Sequence, residues 1–301
     1  MQENVRKLLE KQGYRIIGGH SAVKTCHWLK ESLVNNRPCY KEKFYGIKSH
    51  RCLQMTPSVA WCQHRCVFCW RPIEHTLGTE MKFETDEPNF IIENAIREQR
   101  RLISGYWGNE KVDEVKLKEA EDPRHAAISL AGEPTTYPMI GDLIEEFHGR
   151  GFTTYLVTNG INPKVLEEIE EPTQLYLSLE AYDRELYKRI NNPQVKDGWE
   201  RLNRSLEILN SITTKKVIRI TLVRGFNLDK PKKFVPLIEK AHPDYVEPKG
   251  YVHVGYSRRR LLREDMPSFE EVQRFATALS EEIGYDIKDS SKDSKVVLLS
   301  K

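Results

Sequence analysis

The sequence predicts an α/β fold: a partial (β/α)6 barrel over residues 54–250, preceded by a cysteine-bearing extension (1–53) and followed by a helical extension (251–301). Three observations predict it. Apolar strand-like runs alternate with amphipathic helix-like stretches, the pattern that builds parallel sheets. Six such units suit an open barrel better than a closed eight-stranded one. A cysteine-rich loop, residues 61–70, follows the first strand, and the C-terminal ends of strands are where such folds carry their chemistry.

The first unit pairs a strand at 54–59 with a helix at 84–104. Residues 105–123, charged and weakly apolar, read as an inserted loop. Residues 125–131 form a buried strand, and 139–150 a helix that Gly151 stops. A strand at 152–157 precedes a helix at 163–170, and a strand at 174–179 precedes helices at 183–190 and 197–211. A strand at 216–223, a helix at 231–241 and a short strand at 244–247 complete the array. A helix at 268–283 closes the chain.

Composition is that of an ordinary globular protein, with 39% hydrophobic and 30% charged residues. No run approaches the ~20 apolar residues of a membrane span, and the N-terminus lacks the apolar core of a secretory signal. A cytoplasmic location is therefore expected. The net charge of +3 is not by itself a nucleic-acid signature. Local basic clusters are Lys215 with Lys216, Lys230 with Lys232 and Lys233, and Arg258, Arg259 and Arg260 with Arg263. The arginine run best suits phosphate, because guanidinium forks match its geometry.

All six cysteines lie between residues 26 and 69. A disulfide framework needs a small secreted chain, so metal is the expected partner. Cys62, Cys66 and Cys69 can wrap one compact cluster from a single loop. A four-iron cluster normally takes four thiolates. Three leave one iron open, where S-adenosylmethionine (SAM) can chelate and be cleaved by one electron to a 5′-deoxyadenosyl radical. The competing reading is structural zinc with His64 as fourth ligand, which would crowd the loop. Cys26, Cys39 and Cys52 are three again, and a second open cluster accounts for them better than buried structural thiols.

The pattern Cys62-x3-Cys66-x-Phe68-Cys69 resembles that of the radical SAM superfamily. Together with Cys26, Cys39 and Cys52 it resembles the family of archaeal tRNA 4-demethylwyosine synthases. Residues 39–47 (CYKEKFYGI), 55–62 (MTPSVAWC), 68–72 (FCWRP), 130–138 (LAGEPTTYP) and 157–160 (VTNG) carry the likeness, which runs over nearly the whole chain. The resemblance implies two [4Fe-4S] clusters, SAM, and a carbon–carbon lyase class of reaction. N1-methylguanosine at position 37 of tRNA(Phe) would condense with pyruvate to the tricyclic base 4-demethylwyosine. Eukaryotic relatives carry an added flavodoxin-like domain that this sequence lacks, so a separate flavodoxin- or ferredoxin-type electron donor is implied. The alternatives are a radical SAM enzyme with an auxiliary cluster that modifies a peptide or protein, and a zinc-stabilised RNA-binding module.

The family's Schiff-base lysine matches Lys41, with Lys43 as rival. Gly132, Glu133 and Pro134 match the superfamily motif that receives the SAM amino group, and glycine there admits close backbone approach. Thr158 and Asn159 end the next strand, and Ser178 and Glu180 the one after; all four are cofactor-binding candidates. Arg224 and Asn227 are weaker candidates. For tRNA, Trp61, Trp70, Tyr106, Trp107, Tyr251 and Tyr256 are possible base stackers. Residues 251–260 (YVHVGYSRRR) combine aromatics with arginines and are the preferred tRNA contact.

Overall fold

The computed structural model describes residues 1–301. In chain order, α1 (Glu3–Lys11) leads to β1 (Arg15–Ile17) and β2 (Ser21–Val23), then α2 (His27–Val34) and α3 (Tyr40–Tyr45). The barrel-type array follows: β3 (Cys52–Thr56), α4 (Pro88–Ser104), α5 (Glu114–Ala120), β4 (His125–Ile128), α6 (Ile140–Gly149), β5 (Thr153–Thr158), α7 (Pro163–Glu168), β6 (Gln174–Ser178), α8 (Arg184–Ile190), α9 (Gly198–Ile208), β7 (Lys215–Leu222), α10 (Val235–Ala241) and β8 (Tyr245–Gly250). Last come α11 (Phe269–Ile283), β9 (Asp286–Ser291) and β10 (Val296–Ser300). The expected α/β alternation of strands and helices from β3 to β8 is present.

The chain packs as two compact units. Unit 1 comprises residues 1–61, 80–157 and 169–173; unit 2 comprises 62–79, 158–168 and 174–301. In unit 1, β3, β4 and β5 run parallel, with Gln54 opposite Ala127 and Ala127 opposite Tyr155. The β1–β2 hairpin adds antiparallel to β3. Ala126, Ile128 and Leu156 are fully buried, as the continuous apolar runs of a parallel sheet require. Helix α4 opens on Pro88 and buries Ile91, Ile92, Ala95 and Ile103 on one face. Its fully buried Gln99 donates to the carbonyl of Cys52 at 2.8 Å, which fixes the first residue of β3. Strand β3 starts two residues earlier than the sequence suggests and ends before Pro57, which has no N–H for a ladder.

Residues 105–123 correct an expectation, since they are not only loop. Asp113 caps α5 by accepting from the Lys116 amide at 3.0 Å. Leu117 and Ala120 pack against Leu29, Leu33 and Ile103. Two apolar positions in a short, charged helix are too weak a periodic signal to read in advance; tertiary packing supplies the stability.

In unit 2, β6, β7 and β8 are parallel, with Leu177 opposite Ile218 and Ile218 opposite Val246. The C-terminal extension carries its expected helix and, in addition, two strands. Helix α11 is present, held by a capping box in which Ser268 accepts from the Glu271 amide (3.2 Å) and Glu271 accepts from the Ser268 amide (2.7 Å). After it, β10 pairs antiparallel with β8, and β9 with β10. Val296, Val297, Leu298 and Leu299 are fully buried, each contributing about 1.5–3 kcal/mol of burial. Strand β9 (DIKDSS) is polar and has no strand signal of its own; the neighbouring β10 recruits it. No helix is long and apolar enough to cross a membrane.

Candidate functional site

The first triad lies in unit 2. Cys62 is buried, and Cys66 and Cys69 are half-buried. Their loop is laced to the end of α8: the Arg65 amide donates to the Asn191 and Asn192 carbonyls (3.1 Å each), and the Val67 amide to the Ile190 carbonyl (3.0 Å). Burial pushes the Cys66 thiol well up, with Glu180, Cys69 and Cys62 adding to the effect, so the three sulfurs stand within electrostatic reach of one another. No three His, Cys, Asp or Glu side chains converge tightly enough for a single ion. Three thiolates from one loop are the donor set of a four-iron cluster with one open iron, whereas structural zinc takes four protein ligands.

His64 is not a ligand in this arrangement. It is 3% exposed, its Nε2 is 2.7 Å from the Tyr187 hydroxyl, and burial lowers its pKa to about 3, so it is a neutral packing residue. The sulfurs instead receive N–H donors. Asn159 Nδ2 lies 3.8 Å from Cys62 Sγ and Asn191 Nδ2 3.6 Å from Cys66 Sγ. The Arg71 side chain, 4% exposed, donates to the His64 carbonyl at 3.5 Å, within charge reach of Cys62, Cys66 and Cys69. Sequence reasoning missed Arg71 and Asn191. Arg71 stood within the quoted FCWRP segment, whereas Asn191 is 125 residues from Cys66 and left no local signal.

Of the cofactor candidates in unit 2, Thr158 is buried and its Oγ1 accepts from the Gly160 amide at 3.1 Å. Asn159 Oδ1 accepts from the Ile161 amide at 3.0 Å, which aims its Nδ2 at the cysteine loop. Ser178 is half-buried at the end of β6. Glu180 is 5% exposed; burial raises its carboxyl to about 7 against the opposing bonds from Asn191 (3.0 Å) and Thr221 (3.4 Å). Asn227 donates to the Glu180 carbonyl at 2.8 Å and so holds that strand end. Arg224 is committed to Glu271, its Nε lying 3.1 Å from Oε1.

Unit 1 holds the other motif. Gly132 sits at φ +71°, and a Cβ there would lie 1.8 Å from the Ser58 carbonyl oxygen, so only glycine fits. That close approach lets the Glu133 amide reach the Trp61 carbonyl at 2.7 Å. Glu133 is 2% exposed, and its carboxylate accepts from the Thr135 amide (3.2 Å) and hydroxyl (2.6 Å). Pro134 opens the single 3-10 turn that follows.

The second triad is also in unit 1 and comes from three elements. Cys26 precedes α2, Cys39 precedes α3, and Cys52 opens β3. Burial pushes the Cys26 thiol up to about 11 and Cys52 higher still; the cysteines reinforce one another, while Lys41 opposes the rise at both. The three sulfurs and the Lys41 ammonium therefore share one neighbourhood, fit for a second cluster. Lys41 is half-buried with its Nζ 4.8 Å from the centre of the Tyr155 ring, whereas Lys43, two residues on and so on nearly the opposite face of α3, is exposed. The Cys39 amide donates to Ser49 Oγ at 2.8 Å.

The aromatic candidates divide. Trp61 and Tyr251 are buried, the latter with its hydroxyl bonded to Ser257 and His253. Tyr106 is half-buried against the Leu29 cluster, and Trp107 is exposed but hydrogen-bonded to Glu121 at 3.0 Å. The arginine run divides too. Arg258 and Arg259 point to solvent, Arg259 lying 4.3 Å over the half-buried Tyr256 ring. Arg260 turns inward to the Val67 carbonyl (3.1 Å), the Cys69 carbonyl and Glu74 (2.9 Å). The Tyr256 amide donates to the Trp70 carbonyl at 2.9 Å, so this segment clasps the cysteine loop.

The radical SAM superfamily profile matches residues 56–238, and a profile described as wyosine base formation matches residues 240–301. The chain is 55% identical to an S-adenosyl-L-methionine-dependent tRNA 4-demethylwyosine synthase from Pyrococcus abyssi, over 99% of this chain and 89% of the relative. Identity to the enzyme of that name from Methanocaldococcus jannaschii is 46%, over 99% and 96%. The rice relative is 40% identical, and the chain spans 46% of it. A solved structure of TYW1 with a lysine–pyruvate adduct bound superposes with a TM-score of 0.91 at 45% identity, covering 100% of this chain and 96% of that one.

Proposed function

The chain belongs to the S-adenosyl-L-methionine-dependent tRNA 4-demethylwyosine synthase family, and we propose on that premise that it condenses N1-methylguanosine-37 of tRNA(Phe) with pyruvate. It is a radical SAM enzyme of tRNA modification, acting in wyosine base formation. The proposal extends to two [4Fe-4S] clusters, a carbon–carbon lyase class of reaction, a separate flavodoxin- or ferredoxin-type electron donor and a cytoplasmic location. The observation that carries it is the neighbourhood of Lys41 with Cys26 and Cys52.

When bound, SAM and a reduced cluster supply hydrogen-abstracting radical chemistry, directed here at the N-methyl group. Cys62, Cys66 and Cys69 would hold that cluster. In unit 1, Gly132, Glu133 and Pro134 would receive the cofactor's amino group, Glu133 accepting from its ammonium. In unit 2, Thr158, Asn159, Ser178 and Glu180 would offer donors and acceptors to the remaining polar groups. Cys26, Cys39 and Cys52 would hold the second cluster, beside which the keto acid binds.

Lys41 acts as the nucleophile. Its neutral amine adds to the keto carbon of pyruvate, and water leaves to give an imine. The Tyr155 face fixes where Nζ stands. The lysine–pyruvate adduct carried by the related TYW1 structure supports this role. Arg258 and Arg259 would contact the tRNA backbone, with Tyr256 beneath as a stacking platform.

The test is anaerobic reconstitution with SAM, pyruvate, dithionite and tRNA carrying N1-methylguanosine, read by nucleoside mass spectrometry. Formation of 4-demethylwyosine is expected. A reconstituted protein that cleaves SAM yet leaves the methylated base unchanged overturns the substrate assignment. Borohydride trapping of pyruvate on wild-type protein, lost in Lys41→Ala, is the matching test of the imine.

A further inference from the structure

Two sulfurs of the unit 2 triad face N–H donors, Cys62 the His64 amide (3.4 Å) and Asn159, and Cys66 Asn191, while the buried Arg71 stands within charge reach of all three cysteines. Each of these side chains is itself held in place. Asn159 is anchored through its bond to Gln63 (3.3 Å), Asn191 to Glu180 (3.0 Å) and Arg71 to the His64 carbonyl (3.5 Å). Arg71 is 4% exposed, and the charges acting on it are the three cysteines rather than a carboxylate. A buried guanidinium without an anion is strongly unfavourable. An iron–thiolate cluster, net negative, is the counter-charge this site lacks without it.

We infer that Arg71 is a positioning residue that sets the reduction potential of the cluster held by Cys62, Cys66 and Cys69, with Asn191 and Asn159 adding smaller increments of the same sign. One electron from the donor adds one negative charge to the cluster and its thiolates. A buried cation and N–H dipoles aimed at the sulfurs stabilise that added charge and raise the potential. The dry setting strengthens the effect, since charges interact far more strongly at low dielectric. The inference rests on the cluster-binding part of the proposed function and is independent of pyruvate and tRNA.

The experiment is a dithionite-poised titration of the reconstituted protein, followed by electron paramagnetic resonance in a Cys26→Ala background, with iron and sulfide measured on each sample. Arg71→Gln is expected to lower the ratio of reduced to oxidised cluster by about tenfold at fixed poise, a downward shift of about 59 mV for one electron. Arg71→Lys keeps the charge and should stay within about threefold of the parent. Asn191→Ala should fall about two- to threefold. An Arg71→Gln protein with full iron and an unchanged ratio overturns the inference. If Arg71→Gln holds no iron, Asn191→Ala decides: a lowered ratio upholds it and an unchanged or raised one overturns it. A parent that takes up no iron brings down the cluster reading as well, whereas a parent that loads and cleaves SAM beside unshifted variants brings down this inference alone.

Discussion

In unit 2 the proposed cluster sulfurs come from residues 62–69, a single loop laced to the end of α8, and Asn159 and Asn191 reach two of them from elsewhere in the chain. In unit 1 they come from two helix starts and a strand, and the charged side chain among them is a lysine. Both triads leave one iron open in the proposed clusters, yet their surroundings differ. Donors aimed at sulfur stabilise added electron density, which suits a cluster that must be reduced. A lysine beside the other triad suits a substrate that must be captured. Ligand count therefore sets the cluster type, and the neighbouring side chains set the task.

The largest expected effect separates the two triads directly. Cys62→Ala should abolish both SAM cleavage and base formation, whereas Cys26→Ala should abolish base formation and retain 5′-deoxyadenosine release under dithionite. Chromatography of the nucleoside products reads both. Loss of SAM cleavage in Cys26→Ala at full unit 2 iron content would break the division of labour.

Next in size is the lysine. Lys41→Ala should reduce base formation by more than about a hundredfold, while the exposed Lys43→Ala stays near wild type. Equal loss in the two variants would remove Lys41 as nucleophile.

Two glycines sharpen the comparison at the level of backbone. A Cβ at Gly132 would lie 1.8 Å from the Ser58 oxygen in unit 1, and one at Gly255 2.4 Å from the Trp70 oxygen in unit 2, both at positive φ. Each alanine variant should cost at least about 1–3 kcal/mol of stability. The order Gly132→Ala worse than Gly255→Ala, read by chemical denaturation, is the expected result.

A smaller effect belongs to the outward arginines. Arg258→Ala and Arg259→Ala should each weaken tRNA binding and lower the salt slope by about 1, without changing SAM cleavage. Filter binding across a salt series measures it. An unchanged slope places the RNA contact elsewhere.

The smallest is a pH effect confined to unit 1. His20 is 1% exposed; its Nδ1 reaches the Pro57 carbonyl and its Nε2 accepts from the Asp86 amide at 2.9 Å. Burial lowers its pKa from 6.5, against the pull of Pro57 and Asp86. The unfolded chain then binds the proton first, so this contribution is intact above pH 6.5 and lost as pH falls below it. The slope is at most about 1.4 kcal/mol per pH unit for one proton. Denaturation midpoints of wild type and His20→Gln between pH 5 and 7.5 should converge as pH falls, and parallel curves would exclude His20 as the source.

Much was legible in advance because it is local. The spacing of Cys62, Cys66 and Cys69, the Gly132–Pro134 turn after β4, and the alternation of β3 to β8 with helices all follow from near neighbours in the chain. The same holds for the α11 boundaries, where Ser268 and Glu271 form a capping box. Strand β9 and helix α5 were missed because each is recruited by a partner: β9 by β10, α5 by Leu29 and Leu33. That Lys41 is half-buried and Lys43 exposed needed the structure, since only packing buries one face of a six-residue helix.

What the sequence by itself determined is the chemistry available: two sets of three thiols, a lysine beside one of them, and a glycine–glutamate turn. Their covalent spacing limits what they can bind wherever they end up. What the tertiary structure alone decided is what surrounds those groups. Asn191 meets Cys66, Arg71 is buried against the His64 carbonyl, and Arg260 leaves its two neighbours to grip the loop. Hydrogen bonds and charge effects act across space over a few ångströms, and chain separation says nothing about that distance until the fold closes it.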